Sequence, residues 1–478
     1  MGEQAADGVR TFLLSHREDM VEDLVRLVKI QSLRSGSLPE ARYGRAVRSV
    51  LEAACGILRE AGFSAGVEPD GAFAICDWGD GDSVLGIAPH LDVVSAEGGW
   101  SVPPFEPVLQ GDFLVGRGVS DDKGGAVMAI WALRALRECG FTPKGKVRLF
   151  LGGNEETGME DIRLLEARYG LPDFSLVPDA FFAVGVGQKG RGVMRMGMKG
   201  ALREIKDLEG GGKTAGAVPS RASCTLPDNE KLQEELESLC RANGRLSYRA
   251  VEDGYQLCAE GVSAHTAMPQ GSVNAVWVLA DALGRLAHLD CGDRAAMQEL
   301  ARLIEGYDGN GMGISARDER SGDLTCVAVY LGSEGGRLQA DCNIRFPVSV
   351  AGDELEERVK ARLGGCAFWE MEEFGWNDPY YLPPDRPEIE LLRKVYRECT
   401  GSPADLYVHP GGTYAKELGN AVIFGNEFRK EIPFPEGRGR AHQADEAVSI
   451  SDLLEGTYIY AEAIQSLDRH LADRRKAV

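Results

Sequence analysis

The stretch SVLGIAPHLDVV, residues 83–94, sets two kinds of residue end to end. Residues 83–88 form an apolar run of buried-strand length, and His90 and Asp92 follow at once. Three further runs have the same form: KVRLFL (146–151), FSLV (174–177) and AVIFG (421–425). A helical stretch, AVMAIWALRALREC (126–139), separates the first two runs, and EIELLRKVYRECTG (388–401) reads as another helix. Amphipathic spacing predicts two more helices near the start, over 7–31 and 42–62. Strands alternating with helices predict an α/β fold with a mostly parallel sheet.

In such sheets ligands bind beyond the carboxyl ends of the strands. The residues found there are chemical ones. His90 and Asp92 follow the first run, Glu155 and Glu156 follow the second in GGNEETG (152–158), and Asp179 follows the third in VPDA (177–180). Past AVIFG a loop ends in RGRAHQADE (438–446) with His442, and GVSDDKGG (118–125) supplies Asp121 ahead of a helix. Singly, each has an ordinary reading: His90 as a satisfied buried histidine, the glutamates as a solvated loop, Asp121–Asp122 as a charged turn. Together they are harder to dismiss. Carboxylates gathered at one sheet edge repel one another, and burying each costs several kcal/mol unless cations offset it. Two histidines and three carboxylates suit two divalent ions with one carboxylate bridging. Imidazole with carboxylate favours Zn²⁺, and Mn²⁺ or Co²⁺ is also reasonable. Of the seven histidines, His16, His288 and His470 lie in helical contexts and read as surface residues.

Composition narrows the partners. The net charge of −21 argues against nucleic acid or an anionic membrane surface. Eleven scattered cysteines without a Cys-x-x-Cys pair suit a reducing compartment. The first twenty residues lack a signal-type apolar core, and no run approaches the roughly 18 apolar residues of a membrane span. The expectation is a soluble, cytoplasmic protein. At 478 residues the chain has room for two or three units. From about 190 to 385 its texture changes, with EGGGKTAG (209–216), the polar helix DNEKLQEELESLCRANG (228–244) and strand-like LTCVAVYLG (324–332) and RLQADCNIRFPVSV (337–350). This reads as an inserted α+β domain over 189–385, between catalytic parts 1–188 and 386–478.

HLDVV, GRGVSDDKGG, GGNEETG, VPDA, GVSAHTAMPQGSVNA (261–275), HPGGTYAKEL (409–418) and GRAHQADE, in this order, resemble the co-catalytic di-zinc peptidases of the aminoacylase, carboxypeptidase G and carnosinase group, and within it the PepV-like dipeptidase branch. The resemblance implies a zinc-exopeptidase type of catalytic domain with an inserted lid. It implies that Asp121 bridges two metals, that His90 and Asp179 complete one shell, and that Glu156 and His442 complete the other. Glu155 would be the general base, and Asp92 would hydrogen-bond the His90 imidazole to orient it. The peptide after the bridging aspartate is typically cis in this family. His265 would donate to the developing oxyanion, and Arg345 would pair with a substrate carboxylate, for which a guanidinium fork is suited. An arginine on a sheet edge is the ordinary reading of Arg345. PGGTYAKEL reads as a glycine turn opening a helix, so that Gly412 and Thr413 would grip the substrate's C-terminal carboxylate. One stretch departs from the pattern. Where many relatives carry asparagine ahead of a Val-Pro-Asp turn, this chain has GAVPSRA (216–222), with Ala217 and Ser220.

The implied activity is a metal-dependent dipeptidase that hydrolyses short unblocked peptides, using a metal-bridging water activated by Glu155. Its closest rival is an N-acyl-amino-acid amidohydrolase with the same metals, and a more distant one is a non-catalytic peptide-binding protein. A lid of this length, as in the PepV-like branch, implies a monomer working by lid closure.

Overall fold

The four apolar runs are strands, Val84–Ile87, Lys146–Gly152, Phe174–Val177 and Ala421–Ile423, in a computed structural model that describes residues 3–96, 98–212, 216–334, 337–435 and 437–476. They pair in parallel, in the order Lys146–Gly152, Val84–Ile87, Phe174–Val177, Ala421–Ile423. The register sets Leu85 opposite both Val147 and Phe174. Burial on both faces explains why these strands read as unbroken apolar runs.

The sheet is mixed rather than mostly parallel beyond this centre. Phe73–Trp78 lies antiparallel against Lys146–Gly152, and Ala65–Val67 lies antiparallel beyond it. The two outer strands are joined by a short turn containing Gly71 at φ 69°, and so tight a connection permits only antiparallel pairing. On the other side Val184–Gln188 meets Ala421–Ile423 antiparallel through Gly185 and Ile423.

The predicted opening helix is two helices, Glu3–Ser15 and Arg17–Val28. The break is at His16, whose Nδ1 lies 2.9 Å from the Phe12 carbonyl and whose ring sits 4.2 Å from that of Phe12. The next helix begins at Arg45, because Gly44 has φ 105°, outside the helical range. Helix Lys123–Glu138 is buried almost all round, with Trp131 wholly enclosed and its indole N–H donating to Asp23 at 3.0 Å. Helix Ile450–Lys476 packs against it.

The chain divides into two compact units: Met1–Gly187 with Leu382–Tyr407 and Gly412–Val478, and Gln188–Tyr381 with Val408–Gly411. By this division the chain returns to the first unit at Leu382. Val408–Gly411 joins the second unit, where the Lys189 amide donates to the His409 carbonyl at 3.0 Å. The second unit is built on an antiparallel sheet with Arg337–Phe346 between Thr325–Glu334 and Gly190–Met198, and Trp369–Asn377 beyond the latter. One face of that sheet contributes Met194, Met196, Cys342 and Ile344 to a core shared with helices Ala275–Arg285 and Cys291–Leu303. Asn274 and Asp290 cap those two helices, each side chain accepting from two backbone amides of the first turn. All eleven cysteines are free, and no helix among the described residues is long and apolar enough to cross a membrane.

Candidate functional site

Three parallel strands deliver their following residues to one edge of the sheet of the first unit. Val84–Ile87 leads to His90, which forms a parallel bridge with Gly152 at the end of the neighbouring strand. Lys146–Gly152 leads to a single 3₁₀ turn, Glu155–Thr157, and Phe174–Val177 leads to Asp179. Two segments from elsewhere meet them. The His90 Nε2 stands 2.9 Å from Asp121 Oδ1 and 3.9 Å from Asp179 Oδ2. His442 Nε2 stands 3.0 Å from Asp121 Oδ2 and 3.1 Å from Glu156 Oε1. Asp121 thus touches one imidazole with each of its oxygens. His442 has φ 64°, a left-handed conformation that costs a non-glycine residue about 1–3 kcal/mol and that occurs at functional sites.

These separations suit ions held between the groups. Donor atoms around one tetrahedral Zn²⁺, with bonds of about 2.0–2.1 Å, stand about 3.3–3.4 Å apart. The donors of His90, Asp121 and Glu156, and those of His90, Glu155 and Asp179, lie within 4.8 Å of one another. The acids also act on one another electrostatically. Burial, followed by repulsion from Asp121, pushes Asp179 up to about 7 and also raises Glu156. Burial and Asp179 push Glu155 well above the usual carboxylate range. Burial opposes the charge on His442, yet hydrogen bonds to Asp121 and Glu156 lift it to about 11. The site thus gathers four carboxyls and two imidazoles, a donor set whose burial and mutual repulsion a divalent cation would offset.

Asp92 serves the site through both its carbonyl and its carboxylate. The His90 Nδ1 lies 3.0 Å from the Asp92 backbone carbonyl and 3.5 Å from its carboxylate. The carboxylate also accepts the backbone amides of Glu155 (3.1 Å) and Glu156 (3.2 Å). One residue therefore orients the imidazole with its carbonyl and fixes the glutamate turn with its side chain.

The Asp121 loop is held by residues that sequence reasoning missed. Glu446 Oε1 accepts from the amides of Ser120 (3.0 Å) and Asp121 (3.1 Å), while its Oε2 takes Arg117 at 2.6 Å. Asn426 Nδ2 donates to the Ser120 carbonyl at 2.6 Å and to Asp122 Oδ1 at 3.1 Å. The Asp121–Asp122 peptide is cis, and Asp122 Oδ2 accepts from the His90 amide at 3.3 Å rather than facing the donor cluster. Lys123 is fully buried and donates to the carbonyls of Leu27 (3.1 Å) and Ile30 (2.8 Å), at the end of helix Arg17–Val28. Burial lowers it to about 7. Gly125 permits the fit, since a Cβ there would lie 2.0 Å from Asp122 Oδ1 and 2.7 Å from the Pro178 carbonyl. The only sequence signal for these supports was the acidic end of GRAHQADE.

The structure brings together His90, Asp92, Asp121, Glu155, Glu156, Asp179 and His442, all on the first unit. His265 and Arg345 belong to the second. His265 is exposed, forms a bridge with Ala217 and accepts the Ala267 amide on Nδ1 at 3.2 Å. Arg345 is 8% exposed, and among the described residues it has no carboxylate partner. Thr413 caps the five-residue helix Tyr414–Leu418 with its own side chain, accepting from the Ala415 amide at 3.2 Å. Gly412, just ahead of the cap, is exposed. A cavity of about 520 Å³ lies on the second unit, lined by residues including Tyr307, Asp308, Asp323 and Thr325, and holds none of the predicted site residues.

The histidine–carboxylate cluster lies at the carboxyl edge of an α/β sheet, in a chain that carries an inserted antiparallel unit. The chain belongs to Peptidase family M20/M25/M40, whose profile matches residues 86–466. It is similar to a Beta-Ala-Xaa dipeptidase of Lactobacillus delbrueckii subsp. lactis, 30% identical over 404 residues, covering 82% of this chain and 84% of that protein. Among solved structures it resembles human carnosine dipeptidase 1 at a TM-score of 0.59 and 16% identity, covering 97% of this chain and 99% of that one. It resembles the di-peptidase Dug1p from Saccharomyces cerevisiae at a TM-score of 0.59 and 15% identity, covering 97% and 98%. The two solved structures speak to the fold.

Proposed function

We propose that the chain is a metal-dependent dipeptidase acting on short unblocked peptides. The observation that supports it most is the sharing of Asp121 between two histidine–carboxylate groups, with Glu155 beside them and buried. His90 and Asp179 would hold one divalent ion, Glu156 and His442 the other, and Asp121 both. Zn²⁺ suits the mixed imidazole and carboxylate donors, with Mn²⁺ and Co²⁺ compatible. Bound there, such ions supply Lewis acidity, lowering the pKa of a water and polarising a carbonyl. The chain's own residues do the rest. Glu155 takes the proton of the attacking water and returns it to the leaving amine, the work of a carboxylate placed within hydrogen-bond reach of that proton. Asp92 fixes the Glu155 backbone, so the reach of the base depends on its own side-chain torsions.

His265 would donate to the developing oxyanion, and Arg345 would pair with a substrate carboxylate. The Lactobacillus relative's name supports a dipeptide substrate. Gly412 and Thr413 would contact the substrate's carboxylate, Gly412 through its exposed backbone. The proposal includes a monomer, which sedimentation equilibrium would check.

The test is a panel of free dipeptides and N-acetyl amino acids, assayed after chelation and re-addition of Zn²⁺, Mn²⁺ or Co²⁺. Rescue on the dipeptides supports the reading. Rescue on the acetylated substrates alone assigns the chain to the amidohydrolases, and no rescue on either removes the metal-dependent mechanism.

A further inference from the structure

The outer face of the second unit's sheet carries a pairing that antiparallel sheets avoid. Arg345 and Arg191 stand directly opposite each other on adjacent strands. Residues so paired share a face, with Cβ atoms about 4.5–5.5 Å apart, and like charges there are destabilising. Four residues along the same two strands the sheet does the opposite. Asp341 faces Arg195, and the two form an ion pair at 2.9 Å. A counter-ion is therefore supplied where the charge is structural.

Neither Arg191 nor Arg345 has one among the described residues. Arg345 is 8% exposed, and its Nε is buried without a hydrogen-bond partner. Asn343, two residues before it on the same face, has a buried Oδ1 equally without a partner. Burial, and after it the Arg191 charge, lowers the Arg345 guanidinium to about 10. Beside Arg191 on the same face, Val193 leaves 40% of its surface open, which offers an apolar rest for a ligand's stem. A single carboxylate would leave this pair with a surplus positive charge; two carboxylates on one ligand balance it, each with a planar fork to meet it.

We infer that Arg191 and Arg345 form a twin-guanidinium site for a dicarboxylate, making Arg191 a specificity residue for substrates whose C-terminal residue is Asp or Glu. The inference rests on the dipeptidase reading only in its substrate; the site itself is a property of the second unit. On this account the metal-loaded protein turns over Ala-Glu with a higher kcat/KM than the uncharged isostere Ala-Gln. The expected ratio is about tenfold to a hundredfold, the effect of one hydrogen bond to a charged group. R191Q is expected to bring that ratio to within about threefold of unity, and R191E to move the preference from Ala-Glu to Ala-Lys. Parity of Ala-Glu and Ala-Gln in the unaltered protein, or a preference surviving R191Q, would overturn the inference.

Binding of glutarate and butyrate by calorimetry separates this result from the fate of the proposed activity. Tighter glutarate binding that is lost in R191Q sustains the site even if no dipeptide is hydrolysed. Equal affinity for the two acids in the unaltered protein removes the site even if dipeptides are hydrolysed.

Discussion

Glu155 and Glu156 are neighbours in the chain to which the proposed mechanism gives different work: Glu156, 3.1 Å from His442, would hold an ion, while Glu155 would take the proton of the water. Their substitutions should therefore separate. Glu155→Gln is expected to lower kcat by about 10²–10⁴-fold, the usual contribution of a positioned general base, with the metal content unchanged. Glu156→Gln is expected to lower the metal content itself, and elemental analysis beside the rate assay distinguishes the two. Asp161 gives a prediction about pH. Its carboxylate accepts from the amides of Gly153 (2.9 Å) and Asn154 (3.0 Å) and from the Tyr414 hydroxyl, yet burial raises it from 3.8 to about 7. The folded state then holds this proton more tightly than the unfolded chain. Its contribution to stability is complete below about pH 4 and is lost as the pH rises through about 7. Stability relative to Asp161→Asn should accordingly fall across that window, by at most about 1.4 kcal/mol per pH unit, in urea titrations at several pH values.

The element that matters most is the loop between Val119 and helix Lys123–Glu138. Its backbone is clamped from one side by Glu446 and from the other by Asn426, and Gly125 lets Asp122 and the Pro178 carbonyl pack against the first helical turn. Gly125→Ala should displace that turn and with it Asp121. The expected outcome is a protein of native circular dichroism that binds Zn²⁺ at least about tenfold more weakly, as for other losses of support behind a metal ligand. The sequence made the central strands legible because burial on both faces leaves uninterrupted apolar runs, and His90, Glu155, Glu156 and Asp179 were legible because they follow those runs directly. The outer strands Ala65–Val67 and Phe73–Trp78 were not, since three and six residues carry too little periodicity. Nor were Arg117 and Asn426, whose roles arise from contacts more than three hundred residues away in the chain. The double function of Asp92 was hidden for a different reason. Spacing places a carboxylate near an imidazole, but it does not say whether the side chain or the carbonyl makes the contact.

At the scale of the molecule, the first unit gathers buried acids that raise one another's pKa, inside a chain of net charge −21. Cations should relieve that repulsion, so divalent metal should stabilise the fold. An ion at about 100 times its dissociation constant contributes about 2.7 kcal/mol, and chelation is expected to lower the melting temperature measurably by calorimetry. The central claim is that Asp121 joins two ion sites on which hydrolysis depends, and a stepwise titration of the metal-free protein with Zn²⁺ addresses it directly. Bound ion and dipeptide turnover would be read together. The account predicts saturation at two ions per chain with turnover following occupancy, and loss of both in Asp121→Asn. Saturation at one ion or none, or turnover that persists in the metal-free protein, would contradict it.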